Sequence, residues 1–179
     1  MPPVQIRRLG RSDAEDYRTI RLRALETSPE AFGSVHAVEA ARPLADFAER
    51  LAASAVFGAY AGGPIVGMAG FKRETGPRDR HKGFIWGVYV EPAARGQGVG
   101  AALMEALIAS ARDAVEQLTL AVVSSNQAAI ALYEKFGFET YGVEPRALKG
   151  AEGYADEVLM VRFLAEEPSA ASRSGPAGR

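Results

Sequence analysis

Arg95-Gly96-Gln97-Gly98-Val99-Gly100 places three glycines in six residues, directly after an apolar run and directly before a helical pattern. The run Phe84 to Val90 is rich in β-branched and aromatic residues and is stopped by Pro92, as expected of a buried strand. Beyond the glycines, Val99, Leu103, Ala106 and Leu107 recur at helical spacing. The order is therefore strand, glycine-rich turn, helix. Such a turn lets backbone approach a ligand closely and leaves several N–H groups unpaired at the positive end of a helix dipole. The chemistry this favours is anion binding, most naturally of phosphate.

Three phosphate-binding arrangements compete for these residues. The P-loop requires a Gly-Lys-Ser/Thr ending, which the turn lacks. The dinucleotide fingerprint fits at Gly96, Gly98 and Ala101, but it expects an acidic residue about 20 positions on to hold a ribose. Here the next strand, Leu118 to Val123, runs into Ser124-Ser125-Asn126, and 179 residues leave little chain for a second mononucleotide half. A preference for NADH would identify that arrangement. The third is a family resemblance. Val88-Tyr89-Val90-Glu91-Pro92 followed by Arg95-x-x-Gly98-x-Gly100 resembles the acetyl-CoA signature of the GNAT superfamily of N-acetyltransferases, Q/R-x-x-G-x-G/A. Asn126-x-x-Ala129-x-x-Leu132-Tyr133-Glu134-Lys135-x-Gly137-Phe138 is similar to that superfamily's next segment, at the expected distance. The motif-level resemblance covers Val88 to Phe138, and the order of elements extends it from Val4 to Leu164.

The resemblance implies an α/β domain of the GNAT fold, a mixed and mostly antiparallel sheet of about seven strands flanked by about four helices. It implies acetyl-CoA as co-substrate in a V between the two central strands. Val88, Tyr89 and Val90 would present backbone to the pantetheine amides, and Arg95, Gly96, Gln97, Gly98, Val99 and Gly100 would surround the pyrophosphate. Asn126 would meet the pantetheine arm, a role compatible with capping the helix it precedes. Tyr133 occupies the position of a tyrosine that protonates the departing sulfur, although its spacing also suits a plain core tyrosine. Glu30 and Phe32 fall in the region that lines the acceptor side, and Phe32 could equally plug the core under its loop. The implied reaction is acetyl transfer to a primary amine by direct attack in a ternary complex. The absence of cysteine leaves no thiol for a covalent acetyl-enzyme. One departure stands out. Many family members carry a glutamate in the central strand, whereas Phe84 to Val90 has no carboxylate. Glu91, Glu30, Glu74, His81 and Glu157 are then the weaker candidates for a base, and a catalytically silent acetyl-CoA sensor is the alternative reading. Tyr141 to Met160 resembles a bacterial branch of the superfamily without indicating the acceptor, which could be a small-molecule or a peptide amine. Homodimers are common in the family, but no interface is marked in the sequence.

Composition agrees with one soluble domain. The chain is 47% hydrophobic and 24% charged, and its net charge of −1 argues against a nucleic-acid partner. Zero cysteines and two separated histidines offer no metal site. The N-terminus lacks an apolar leader, and no run approaches a membrane span, so a cytoplasmic protein with no membrane partner is expected. The expected organisation is a domain over 1–164 and a disordered tail over 165–179, rich in Ala, Ser, Gly and Pro.

The remaining elements must position these residues. Val4 to Leu9 reads as a strand, and Ser12 with Glu15 reads as a capping box opening a helix to about Glu26. Tyr17, Ile20, Ala24 and Leu25 would face the core. Arg18, Arg21 and Arg23 would form a solvated basic face or turn toward a ligand. A second helix is expected from about Pro43 to Ala53, then a hairpin of Ala55–Ala61 and Ile65–Lys72 around Gly62-Gly63-Pro64. Glu74 to Lys82 reads as a loop whose basic cluster is either solvated or placed for an acidic group. Asn126 to Phe136 is the last helix, closed by Gly137, and a hairpin from Phe138 returns over Glu157 to Leu164 around a loop or irregular strand.

Overall fold

The computed structural model describes residues 3–164. The disordered tail expected over 165–179 lies outside the described residues. The chain runs β1 (Val4–Arg8), α1 (Ala14–Thr27), α2 (His36–Ala40), α3 (Leu44–Ala53), β2 (Ala55–Ala61), β3 (Ile65–Arg73), β4 (Lys82–Val90), α4 (Val99–Ala111), β5 (Gln117–Val123), α5 (Gln127–Lys135), β6 (Glu139–Gly150) and β7 (Gly153–Phe163). Short 3₁₀ turns precede α1, follow α1 at Pro29–Ala31 and follow β4 at Pro92–Ala94.

The seven strands form one sheet in the order β1-β2-β3-β4-β5-β7-β6. Every neighbouring pair is antiparallel except β4 and β5. Alternation along the strands sends Phe57, Phe71, Ile85, Leu118, Leu120 and Met160 to one face, where α4 supplies Leu103, Met104 and Leu107. The other face takes Val56, Met68 and Tyr89 and is covered by Tyr17, Ile20 and Ala24 of α1 and by Phe47 and Leu51 of α3. Tyr17 meets Phe47 and Trp86 edge-on, with ring centres 5.9 and 6.4 Å apart.

Several expectations change in detail. The capping residue at the first helix is Asp13, not Ser12. Asp13 accepts from the Gly10 N–H at 2.8 Å and also takes Arg7 at 2.9 Å. A 3₁₀ turn at Arg11–Asp13 holds Ser12, so the Ser12–Glu15 box does not form. A fifth helix, α2, also appears between the expected first and second. Of its five residues only Glu39 is buried, while Val35 and Val38 stay exposed, so it carries no apolar stripe to betray it. The stretch from Pro145 to Gly150 is an irregular strand inside a long β6–β7 hairpin, with register shifts between Thr140 and Gly142 and between Glu144 and Leu148.

The parallel β4–β5 junction is short. It pairs Lys82, Gly83 and Phe84 with Gln117, Leu118 and Thr119, after which the strands part. Gly83 sits in this junction without spare room: a side chain there would start 2.9 Å from Leu118 Cδ2 and 3.2 Å from Phe71 Cδ2, both buried. Gly83→Ala should therefore lower stability by about 1–3 kcal/mol. The check is a lower urea midpoint at unchanged slope; an unchanged midpoint would show slack at the junction.

Candidate functional site

The site is the gap that opens where β4 and β5 part. From Ile85 to Val90 on one side and Leu120 to Val123 on the other, the strands are the walls of a cleft of about 750 Å³. Arg95, Gly96, Gly98, Val99 and Gly100 of the glycine turn, Glu30 and Phe32 of the segment after α1, and Asn126, Leu132 and Tyr133 of the α5 region complete the lining.

A bulge shapes the β4 wall. Met68 pairs with Tyr89 but Gly70 pairs with Trp86, so β4 carries one residue more than β3 over this interval. Gly87 supplies it with φ +65°, a conformation that a side chain would strain. The extra residue resets the alternation, so that Ile85, Val88 and Val90 share one face while Trp86 and Tyr89 share the other. Glu91 N–H donates to Val66 O on β3 at 2.8 Å. By the antiparallel alternation, the backbone groups of Val88 and Val90 then point away from β3, into the gap. Val90 O also accepts from Arg95 Nε at 3.0 Å.

The glycine turn has the form the sequence implies. Gly96 and Gly98 both take positive φ, 73° and 79°, and Gly98 is the N-cap of α4. No protein atom lies within 4 Å of where a side chain on either would start. The first-turn N–H groups of α4 lack intrahelical partners, and Gly98 to Ala101 line the cleft at the positive end of a 13-residue helix. Gln97 pins the turn through its side-chain amide to Ala93 O at 2.9 Å.

Asn126 caps α5 as expected, Oδ1 accepting from the Ala129 N–H at 3.2 Å, which leaves its amide nitrogen for the cleft. Tyr133 is 7% exposed, packs edge-on to Phe138 at 6.1 Å and lines the gap. Burial pushes its phenol well above the ordinary tyrosine value, so the hydroxyl keeps its proton. Tyr89 also borders the cleft, but its ring turns into the α1 core and its hydroxyl pairs with Thr27 Oγ1 at 2.7 Å.

The structure brings Glu30 and Phe32 to the cleft and leaves Glu74 and His81 at the opposite end of β4, with Arg73, Arg78, Arg80 and Lys82. Glu91 lies 3.8 Å from Arg23 and 3.5 Å from Tyr89 Oη. Glu157, on the face of Val123, is raised by burial and then by Glu144 opposite. Among the described residues no group of three or more metal-ligating side chains occurs, and no helix is long and apolar enough to cross a membrane.

Arg18 and Arg21 depart from the expected solvated face. Arg18 donates to Ala40 O at 3.0 Å, and Arg21 is buried. They belong to a cluster around Glu39, itself 4% exposed, which accepts from Arg50 at 2.9 and 3.2 Å and meets Arg42 at 3.2 Å and Arg21 at 3.7 Å. Burial alone would raise the Glu39 carboxyl, but the Arg50 hydrogen bonds and the charges of Arg50, Arg21 and Arg42 outweigh it and hold it below the usual carboxylate range. No residue pattern marks this cluster, because α2, which carries Glu39, has no apolar periodicity of its own.

Comparison with known proteins agrees with this geometry. The acetyltransferase (GNAT) family profile matches residues 19–138. The N-alpha-acetyltransferase RimI of Mycobacterium tuberculosis is 37% identical over 101 residues, 54% of this chain and 61% of that protein. The L-methionine sulfoximine/L-methionine sulfone acetyltransferase of Pseudomonas aeruginosa is 34% identical over 88 residues, 48% of this chain and 51% of that protein. The chain thus spans less than two thirds of the length of these curated relatives. The crystal structure of yncA from Salmonella typhimurium, which holds its cofactor acetyl-CoA, superposes with a TM-score of 0.79 at 26% identity, covering 92% of this chain and 96% of that one.

Removing the Glu39 charge should be costly, since it leaves the buried Arg21 and the half-buried Arg50 without a counter-charge. Glu39→Gln should lose about 3–5 kcal/mol near neutral pH. A depressed carboxyl gives its stability above the unfolded pKa and loses it as pH falls through the folded value. Denaturant midpoints of the two proteins should therefore converge in acid; equal midpoints at neutral pH would contradict the account.

Proposed function

The chain belongs to the acetyltransferase (GNAT) family, and from that membership we propose that it transfers an acetyl group from acetyl-CoA to a primary amine by direct attack in a ternary complex. The observation that carries this reading is the β4–β5 gap: strand backbone at Val88 and the Val90 N–H turned away from β3, a glycine-capped helix N-terminus and a protonated tyrosine on the wall. Val88 and Val90 would pair with the pantetheine amides as an added strand does. Gly98, Val99 and Gly100 would give N–H groups to the pyrophosphate, with Gly96 and Gln97 holding the turn. Arg95, fixed to Val90 O, would bring its charge to the same end. The free amide nitrogen of Asn126 would meet the pantetheine arm.

Acetyl-CoA supplies an acyl group already activated as a thioester. The neutral amine attacks the thioester carbonyl, a C–N bond forms and the C–S bond breaks, and the sulfur leaves with a proton. Tyr133, which lines the cleft with its hydroxyl free of a hydrogen bond among the described residues, would donate that proton. The amine must lose its own proton before or during attack, and the candidate carboxylates are Glu30, which lines the cleft, and Glu157, paired on β7 with the cleft residue Val123. Relatives of similar identity act on unlike acceptors, so they do not choose between a peptide amine and a small molecule.

A second reading, a sensor that binds acetyl-CoA without turnover, draws on the same departure noted in the sequence. Phe84 to Val90 carries no carboxylate, and Glu91 beside it lies near Arg23. Thiol release measured against a panel of amines separates the two, since the transferase releases CoA only when an acceptor is present.

Tyr133→Phe should lower kcat about ten-fold or more, with acetyl-CoA affinity little changed; an unchanged kcat would remove the acid role. Gly98→Ala should act in the opposite way, weakening acetyl-CoA binding in calorimetry, because the new side chain strains the turn by about 1–2 kcal/mol and points into open space meant for the phosphates. Unaltered affinity would mean that the turn does not hold the pyrophosphate.

A further inference from the structure

Arg21 stands behind the acceptor end of the cleft with its charge incompletely matched. It is 7% exposed, and three contacts define its guanidinium. Nη2 donates to Ser34 Oγ at 2.9 Å, the Phe32 ring centre lies 5.3 Å away, and Nη1 is 3.9 Å from where a side chain on Gly87 would begin. Phe32 and Gly87 both line the cleft, so the guanidinium abuts its wall at the bulge. Its nearest carboxylate, Glu39, lies 3.7 Å from Nε, and Nε has no hydrogen bond among the described residues. Glu39 is already engaged by Arg50 and Arg42, and Asp46, the next carboxylate, meets Arg42 at 3.4 Å. Arg21, Arg42 and Arg50 thus share Glu39, and Arg21, the one beside the cleft, meets it at the longest distance. A desolvated cation lacking an anion is unfavourable, and a carboxylate arriving from the cleft would relieve it with a charge-assisted hydrogen bond.

We propose that Arg21 is the anchor for a carboxylate carried by the acceptor amine, so that the acceptor is an amino-acid-like molecule with a free carboxylate rather than a peptide N-terminus. The inference rests on the transferase reading above and narrows its substrate class. In an α-amino acid one carbon separates carboxylate from amine, so an anchor beside Gly87 sets the amine next to the bulge, where the β4 backbone faces the gap. In a peptide N-terminus that carboxylate is consumed in an amide, and Arg21 stays unmatched. Gly87 suits this arrangement, since a side chain there would begin 3.9 Å from Arg21 Nη1 and would be strained at a φ of +65°.

The test compares free amino acids with their C-terminal amides as acceptors for the full chain, using CoA release, beside calorimetric titration with acetyl-CoA alone. The expected result is kcat/KM about 100-fold higher for the acids, the order of magnitude that a hydrogen bond to a charged group supplies. Arg21→Met should bring the acid-to-amide ratio to within about 3-fold, mostly through KM, and Arg21→Lys should keep part of the preference. If Arg21→Met does not fold, the wild-type ratio decides alone. Amides acetylated as well as or better than acids, or no acid acetylated although acetyl-CoA binds, would overturn the carboxylate anchor and leave the transferase reading standing. Failure to bind acetyl-CoA would overturn both.

Discussion

The structure depends on two neighbouring strands that cannot stay paired. β4 and β5 share three residue pairs and then separate. The bulge at Gly87 adds one residue to β4 along its β3 edge and with it extra local twist, turning the strand away from its parallel neighbour. β5 meanwhile remains bonded along its whole length to β7, from Gln117 opposite Phe163 to Val123 opposite Glu157. Each strand thus keeps one satisfied edge and turns the other to the gap. Unpaired strand edges are normally a liability, and here the exposed groups are confined to the walls of a cleft, where a ligand with amides of its own can pair with them.

A second constraint is electrostatic and lies on the other side of the same bulge. α1, α2 and α3 meet around Glu39, whose single charge is shared by Arg50, Arg42 and Arg21. The pairing explains how a five-residue helix holds its place without an apolar stripe: hydrogen bonds to a buried carboxylate do what side-chain packing does elsewhere. It also explains why Arg21 on α1 is buried although its spacing would suit a solvated face. The helix that covers the sheet delivers charge as well as Tyr17 and Ile20 to the core, and the charge reaches the acceptor end of the cleft.

Much of this was legible in the residues. The strand, glycine turn and helix from Phe84 onward are local, and their periodicity and glycine spacing report them directly; the same holds for the hairpin around Gly62-Gly63-Pro64 and for Asn126 as a cap. The illegible parts depend on contacts between distant segments. Gly87 reads as an ordinary glycine within an apolar run until its pairing with β3 shows the extra residue. Asp13 replaces Ser12 as the capping group because Arg7, from a neighbouring strand, positions it. Glu39 sits in a short stretch of alanines and valines without a buried stripe, and only the approach of α1 and α3 makes it the centre of a buried cluster.

The central claim is that backbone groups freed by the splay receive acetyl-CoA, and amide hydrogen exchange tests it most directly. Exchange with and without acetyl-CoA should show new protection at Val88 and Val90 and at the amides of Gly98 to Gly100, with little change in β1 and β2. Protection confined to other segments, or none at saturating acetyl-CoA, would contradict the account.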